Sequence, residues 1–334
     1  MKRSKALTMD KENLPSQFVD IPGLANFRDI GGWPISDQNG KVVASVRKGI
    51  FYRGPDTASI EPAGEAKLRE LGITTDFDLR SKGQIVKAGG FKEVEGITRI
   101  SCPAFPDGQY SPDKAAARYV QYASDGTDVR RFYSFNYLSN KSNPYILRTD
   151  QDQGIVQAFT DILTYGALAV RTMLLHVASM DPDHPSSCFI HCTTGNNRSG
   201  VFIGIILQLL GVAPSLIAQE YSLSDIGLRP TRHSVVERLM KSPVFANAGG
   251  GGRERAERMV GARPESMLAM LDMINEKWGG AEGYMKTACG LTDEDIEKFK
   301  SVMIAKESTI PSKRVSRALE SSRKYFADLW RAFG

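Results

Sequence analysis

The sequence predicts an α/β protein, with a single mostly parallel central sheet flanked by helices and a helical cap on the C-terminal side. Three observations lead there. Residues 187–191 form a short run with apolar Cys188, Phe189 and Ile190; residues 201–210 are almost wholly apolar and stop at Gly211, so strand, loop and helix follow one another. Upstream, β-rich runs at 42–52, 73–79 and 97–101 are interleaved with a helical pattern at 61–71. Beyond 214 the patterned segments have helical spacing.

Length and composition bound the answer. A chain of 334 residues, 41% hydrophobic and 24% charged, can bury a sizeable core. The net charge of +5 suits an anionic substrate and is too small to indicate nucleic acid. Four cysteines at irregular spacing give neither a zinc pattern nor a disulfide framework. The opening MKRSKALTMDKEN is charged without an apolar run, so no signal peptide is expected, and no stretch is apolar enough to predict a transmembrane segment. A reducing, cytoplasmic setting is expected. No metal or other cofactor is expected, and oligomeric state is not legible.

In chain order, residues 1–16 read as a polar arm and 17–304 as one domain. Asn26-Phe27-Arg28-Asp29, followed by Gly31-Gly32, is a polar tetrad that a core strand would not carry; by itself it reads as a turn with a structural Arg28–Asp29 pair. Residues 42–52 hold two strand-like runs around a Lys48-Gly49 turn. The 61–71 helix stops at Gly72, and the 73–79 strand leads into Arg80-Ser81. That places Asp78 and Arg80 at the carboxyl edge of the sheet, where ligands bind in open α/β folds. The 97–101 strand opens into a Pro- and Gly-containing loop with Asp107 and Asp113. Helical patterns at 115–123 and 155–177 are separated by the polar 124–154 stretch, an insertion or lid. Past the central helix come helices at 214–221 and 235–240, with Asp225 read first as a helix-end cap and second as the holder of a water or loop amide. A glycine-rich loop at 246–252 follows. The 262–278 helix then puts Met267, Met270, Leu271 and Ile274 on a core face, and Thr292-x-x-Asp295 has a helix-start pattern. The tail, 305–334, carries seven Lys/Arg against three Asp/Glu and reads as a basic tail or helix.

Between strand and central helix lies Cys192-Thr193-Thr194-Gly195-Asn196-Asn197-Arg198. A loop entering a helix N-terminus aims backbone N–H groups at one point and makes an anion site, here 193–198. A cysteine in that field ionises easily, and the thiolate is the nucleophile. The planar fork of Arg198 grips two phosphoryl oxygens, which Lys does not copy. Gly195 permits the tight turn. His191 is placed to fix the loop through its ring nitrogens, and Ser199 to donate to the thiolate.

The string His191-Cys-x-x-Gly-x-x-Arg-Ser-Gly200 resembles the phosphate loop of the cysteine-dependent protein-tyrosine phosphatase superfamily. Asn26 to Gly32 and Asp78-Leu-Arg-Ser81 resemble segments of one branch, the tyrosine/serine phosphatases related to mycobacterial phosphatase B. The resemblance spans about 18–304. It implies a protein-tyrosine-phosphatase-like fold and a metal-independent phosphomonoesterase working through a cysteinyl-phosphate. The substrate would be a phosphotyrosine protein, with phosphoserine or phosphothreonine alongside; a phosphorylated inositol is the alternative, and a phosphate-binding module without turnover a further one. Cys192 would be the nucleophile and Arg198 the clamp, with His191, Ser199, Asp29 and Arg80 in support. Two departures stand out. Gln84 occupies a position where the family usually has Glu, and Asn196-Asn197 replace a frequent Lys-Asp pair. The first removes a charge. The second removes a cation and a possible in-loop proton donor, so Asp107 and then Asp78 become the proton-donor candidates.

Overall fold

A computed structural model describes residues 17–37, 39–106, 153–246 and 251–305. Its centre is a five-stranded sheet in the order β1-β4-β7-β5-β6. The strands are β1 (Arg28–Asp29), β4 (Phe51–Gly54), β5 (Ile73–Asp78), β6 (Thr98–Ser101) and β7 (Ser187–His191). All neighbours run parallel except β1 against β4. This is the mostly parallel sheet expected. The middle strand, β7, is buried along its whole length, which explains its continuous apolar run.

The two runs around Lys48-Gly49 do not pair with each other. The first, β3 (Val42–Val46), joins β2 (Pro34–Ser36) and β8 (Ile304–Ala305) in a small separate antiparallel sheet, and only the second enters the main sheet. The strand β8 is two residues long, too short to leave a periodic signal.

On one face of the main sheet, α1 (Pro62–Glu70) covers a cluster that includes Phe27, Tyr52, Leu68 and Phe189. The other face carries the larger core, built around α3 (Gln153–Tyr165), α4 (Ala167–Ala178) and the helix that follows β7, α5 (Asn197–Leu209). The single helical pattern at 155–177 is two helices bent by 59°. They break at Gly166, where a Cβ would sit 2.5 Å from the Phe202 ring of α5, so the bare backbone lets α5 pack in the corner.

The cap comprises α6 (Pro214–Gly227), α7 (Arg232–Met240), α8 (Pro243–Ala246), α9 (Gly252–Val260), α10 (Pro264–Trp278), α11 (Ala281–Thr287) and α12 (Asp293–Met303). Met267, Met270, Leu271 and Ile274 of α10 are all buried, as their spacing requires. Thr292 and Asp295 cap α12 reciprocally, side chain to backbone. Helices α7 to α9 enclose a satellite core around Phe245 and Val260. Among the described residues no single helix is long and apolar enough to cross a membrane. The arm, most of the 124–154 stretch and the 306–334 tail lie outside the described residues, as do Asp107 and Asp113.

Candidate active site

The parallel strands end together, and their carboxyl edge carries the site. Register puts Gly54 and Asp78 on either side of His191. Cys192 follows directly, and the chain turns through Gly195 into α5. Gly195 has φ +68°, and a Cβ there would come within 2.4 Å of the Gly54 carbonyl, so the turn needs glycine for both reasons.

Cys192 is buried, with Sγ 3.6 Å from Ser199 Oγ. Burial alone would raise its pKa. The Arg198 charge, the Ser199 hydroxyl and the backbone N–H groups of Ser199 and Thr194 outweigh burial and bring the thiol down to about 7. The other three cysteines, all free, lack that field, and burial pushes Cys102, Cys188 and Cys289 up to about 12. One thiol in four is poised to ionise near neutrality.

Arg198 is held from two sides. Its Nη1 donates to Gln84 Oε1 at 2.6 Å and its Nη2 to Thr193 Oγ1 at 3.0 Å. Gln84 also closes a capping box with Ser81 at the start of α2 (Lys82–Lys87). The neutral amide therefore aims the guanidinium without neutralising it.

Asn196 and Asn197 are tied to the end of α9, and Asn197 also to α6. Asn196 Nδ2 donates to the Val260 carbonyl at 2.8 Å and to that of Gly261 at 3.3 Å. Asn197 donates to the Met259 carbonyl at 2.9 Å and accepts from the Tyr221 hydroxyl at 2.9 Å. The pair staples the loop to the end of α9. No side chain caps α5, and in its first turn the Ser199 N–H already turns to Cys192.

Beneath the loop lies a network that the sequence did not reveal. Arg53 Nη2 donates to the carbonyls of Gly195 and Asn196, both at 2.8 Å, and Nη1 to Glu220 at 2.6 Å. Arg28 donates to the other oxygen of Glu220 at 2.7 Å and to Asn26 Oδ1 at 2.6 Å. Asn26, at φ +64°, donates to the carbonyls of Thr194 and Gly195 at 3.2 Å. Pulling these carbonyls down turns the opposite N–H faces of the loop toward the anion site. The tetrad thus splits. Arg28 pairs with Glu220 and not with Asp29, because neighbours on a strand face opposite ways.

Asp29 does not support the loop. It accepts from the N–H groups of Gly31 and Gly49, at the end of β4 remote from Gly54. That corrects its expected place beside the site.

On the other flank, Asp78 takes three hydrogen bonds from Arg80 and two from Arg99, at 2.7 to 3.1 Å. Burial would raise its pKa, but the Arg80 hydrogen bonds and the His191 charge hold it well below the usual carboxylate range. A carboxylate so held keeps no proton to give, so the geometry favours an anchoring role over that of proton donor. Arg80 also meets Asp56 at 3.1 Å and is fully buried, placed to brace the strand end and not to touch a ligand. His191 Nδ1 lies 3.2 Å from the Cys192 carbonyl, and Nε2 lies 3.0 Å from Asp76 Oδ1. Asp225 proves to hold a loop amide: its Oδ1 accepts from Ala262 N–H at 3.1 Å and pairs with Arg232. Among the described residues no cluster of three or more His, Cys, Asp or Glu is placed to hold a metal ion.

Comparison with known proteins agrees with this geometry. The chain is 23% identical over 299 residues to the triple specificity protein phosphatase PtpB of Mycobacterium tuberculosis, covering 85% of this chain and 98% of that protein. It is 22% identical over 255 residues to a tyrosine-protein phosphatase of Nostoc commune, covering 75% of this chain and 72% of that protein. The pattern of the "Tyrosine phosphatase family" matches residues 19–305. The chain belongs to the tyrosine phosphatase family and is a phosphomonoesterase of the cysteinyl-phosphate type.

Proposed function

We propose that this chain is a protein phosphatase acting chiefly on phosphotyrosine, with phosphoserine and phosphothreonine as further substrates. The observation that carries the residue roles is the contrast among the thiols: only Cys192 is lowered, to about 7, so near neutral pH about half of it is thiolate. Its sulfur attacks phosphorus in line, and the phosphorus–oxygen bond to the leaving group breaks as the sulfur–phosphorus bond forms. Arg198 and the N–H groups of 193–198 neutralise the equatorial oxygens. Ser199 donates to the sulfur as it departs in the second step, when water hydrolyses the cysteinyl-phosphate. The proton for the leaving oxygen is assigned to Asp107 on sequence grounds, since Asp78 is held ionised. The name of the mycobacterial relative supports breadth beyond phosphotyrosine. Asn196, engaged with main-chain carbonyls, offers no cation for a multiply charged inositol head group, which argues for protein substrates. A cytoplasmic site of action is the setting a free thiolate suits.

The test is turnover of phosphotyrosine, phosphoserine and inositol phosphate substrates by wild type, Cys192→Ser and Asp107→Asn. Cys192→Ser is expected to be inactive, and acid quench of wild type to trap phosphate on Cys192. Asp107→Asn is expected to lose the basic limb of the pH–rate profile, with peptide turnover falling by about 10²–10⁴-fold. Retained activity in Cys192→Ser would overturn the mechanism. Preference for inositol phosphates would overturn the substrate class, and absence of turnover on every substrate would favour a binding module.

A further inference from the structure

The buried groups around His191 are divided unequally. Alternation along β5 puts Asp76 and Asp78 on one face, and register sets them opposite Phe189 and His191 of β7. The oxygens of Asp78 are taken up by Arg80 and Arg99, and its Oδ1 is 3.8 Å from His191 Nδ1. Asp76 is also buried, at 7% exposure, and among the described residues it forms no ion pair with an arginine; its Oδ1 lies 3.0 Å from His191 Nε2, at ion-pair distance but outside hydrogen-bond geometry. The remaining neighbours add little that titrates. Gly54 faces His191 from β4 and Phe189 stacks on its ring; Arg99 stands opposite Asp76 in the β6 register but directs its guanidinium to Asp78, the Arg80 charge opposes the His191 proton, and Asp56 acts one step away through Arg80. A buried carboxylate whose partner is an imidazole keeps its charge by keeping that imidazole protonated.

We propose that Asp76 is a positioning residue for the phosphatase reaction: it holds His191 as an imidazolium, whose other ring N–H grips the Cys192 carbonyl and whose charge favours the Cys192 thiolate. The proposal rests on the assignment of Cys192 as nucleophile. Electrostatics support the first half of this chain of contacts: burial and Arg80 would lower His191, but Asp76 and then Asp78 raise it to about 9. Removing the Asp76 charge acts on the sulfur in two opposed ways. It deletes a distant anion, which favours the thiolate, and it lets His191 lose its proton, which disfavours it. The imidazolium sits on the residue next to Cys192 and Asp76 lies beyond it, so the second effect dominates.

The test reads two quantities that do not require turnover. Nitrogen-15 NMR of labelled histidine reports whether His191 carries both protons, and iodoacetate alkylation against pH reports the Cys192 thiolate. In wild type His191 is expected to be doubly protonated at pH 7 and to titrate near 9. In Asp76→Asn it is expected to be neutral at pH 7, with Cys192 alkylation at pH 6 slowed by about three- to tenfold and the acid limb of kcat/KM moved up by the same amount. Asp76→Glu is expected to restore the His191 proton. A neutral His191 in wild type at pH 7 overturns the proposal even if no variant folds. An unchanged alkylation midpoint in a folded Asp76→Asn overturns it as well. Failure of the nucleophile assignment is distinguished by retained phosphatase activity in Cys192→Ser.

Discussion

The two buried charge clusters beside Cys192 are built on different plans. Under the Gly195 side, one carboxylate, Glu220, is shared by two arginines, with all three side chains at most 2% exposed. Burial and Arg53 pull Arg28 down to about 10, and Glu220 is lowered despite its burial, so the charges of Arg28 and Glu220 stay fixed around neutral pH. On the His191 side, Asp76, Asp78 and Asp56 face His191, Arg80 and Arg99, and one member, His191, titrates within reach of ordinary pH. The first cluster sets geometry by holding main-chain carbonyls. The second sets the charge beside Cys192, the proposed nucleophile. A phosphate loop needs both: N–H groups that do not move and a sulfur that ionises.

Breaking the first cluster is expected to cost most. Glu220→Gln leaves two buried guanidiniums without their carboxylate, and unfolding free energy is expected to fall by about 3–5 kcal/mol, measured by urea denaturation.

The second cluster breaks with pH. His191 is raised in the fold, from 6.5 to about 9, so its contribution to stability is complete below pH 6.5 and is lost as pH climbs toward 9, on the order of 3 kcal/mol. Cys192 is lowered in the fold, from 9.0 to about 7, so its contribution grows over nearly the same window. The two nearly cancel in wild type. Cys192→Ser removes the compensation, and its stability is expected to decline steadily from pH 6.5 to 9 while that of wild type stays nearly flat.

The smallest effect is expected at the edge of the site. Gln84→Glu would place a carboxylate 2.6 Å from Arg198, a change that keeps the α2 capping box and partly neutralises the clamp. Cys192 is expected to rise by about half a pH unit and KM for an aryl phosphate to increase a few-fold, as read from a pH–rate profile.

What the sequence made legible follows the same division. The loop from His191 to Ser199 is contiguous, so residue types at fixed spacing announced the chemistry, and an apolar strand before it with an apolar helix behind it announced the fold. The Glu220 cluster is assembled across 167 and 192 positions of chain. No local pattern in the sequence singles out Arg53 or Glu220. The signal available was weak: Glu220 falls in a stretch of α6 whose neighbours are mostly buried. Arg28 and Asp29 invited pairing because they are adjacent, whereas a strand separates adjacent side chains. The Asn196-Asn197 substitution read as a loss of charge; its gain, a tie to α9, depends on where that helix ends, which no local pattern states. Gln84 read as a missing charge for the same reason.

The uncapped start of α5 has a consequence for the whole molecule. Ser, Thr, Asp and Asn are favoured at helix starts because they accept from the first turn; here Asn196 instead donates to Val260 and Gly261, and α5, like α1, α6 and α10, opens without a side-chain cap. An oxyanion held in the loop as proposed would supply such an acceptor, and it would bind the folded chain alone. Occupancy and folding become one linked equilibrium, in which the folded population rises with oxyanion concentration as RT ln(1 + [L]/Kd). On the proposed assignment of the loop, inorganic phosphate, the product of the reaction, is also expected to act as a folding ligand of the enzyme that releases it, raising its urea midpoint.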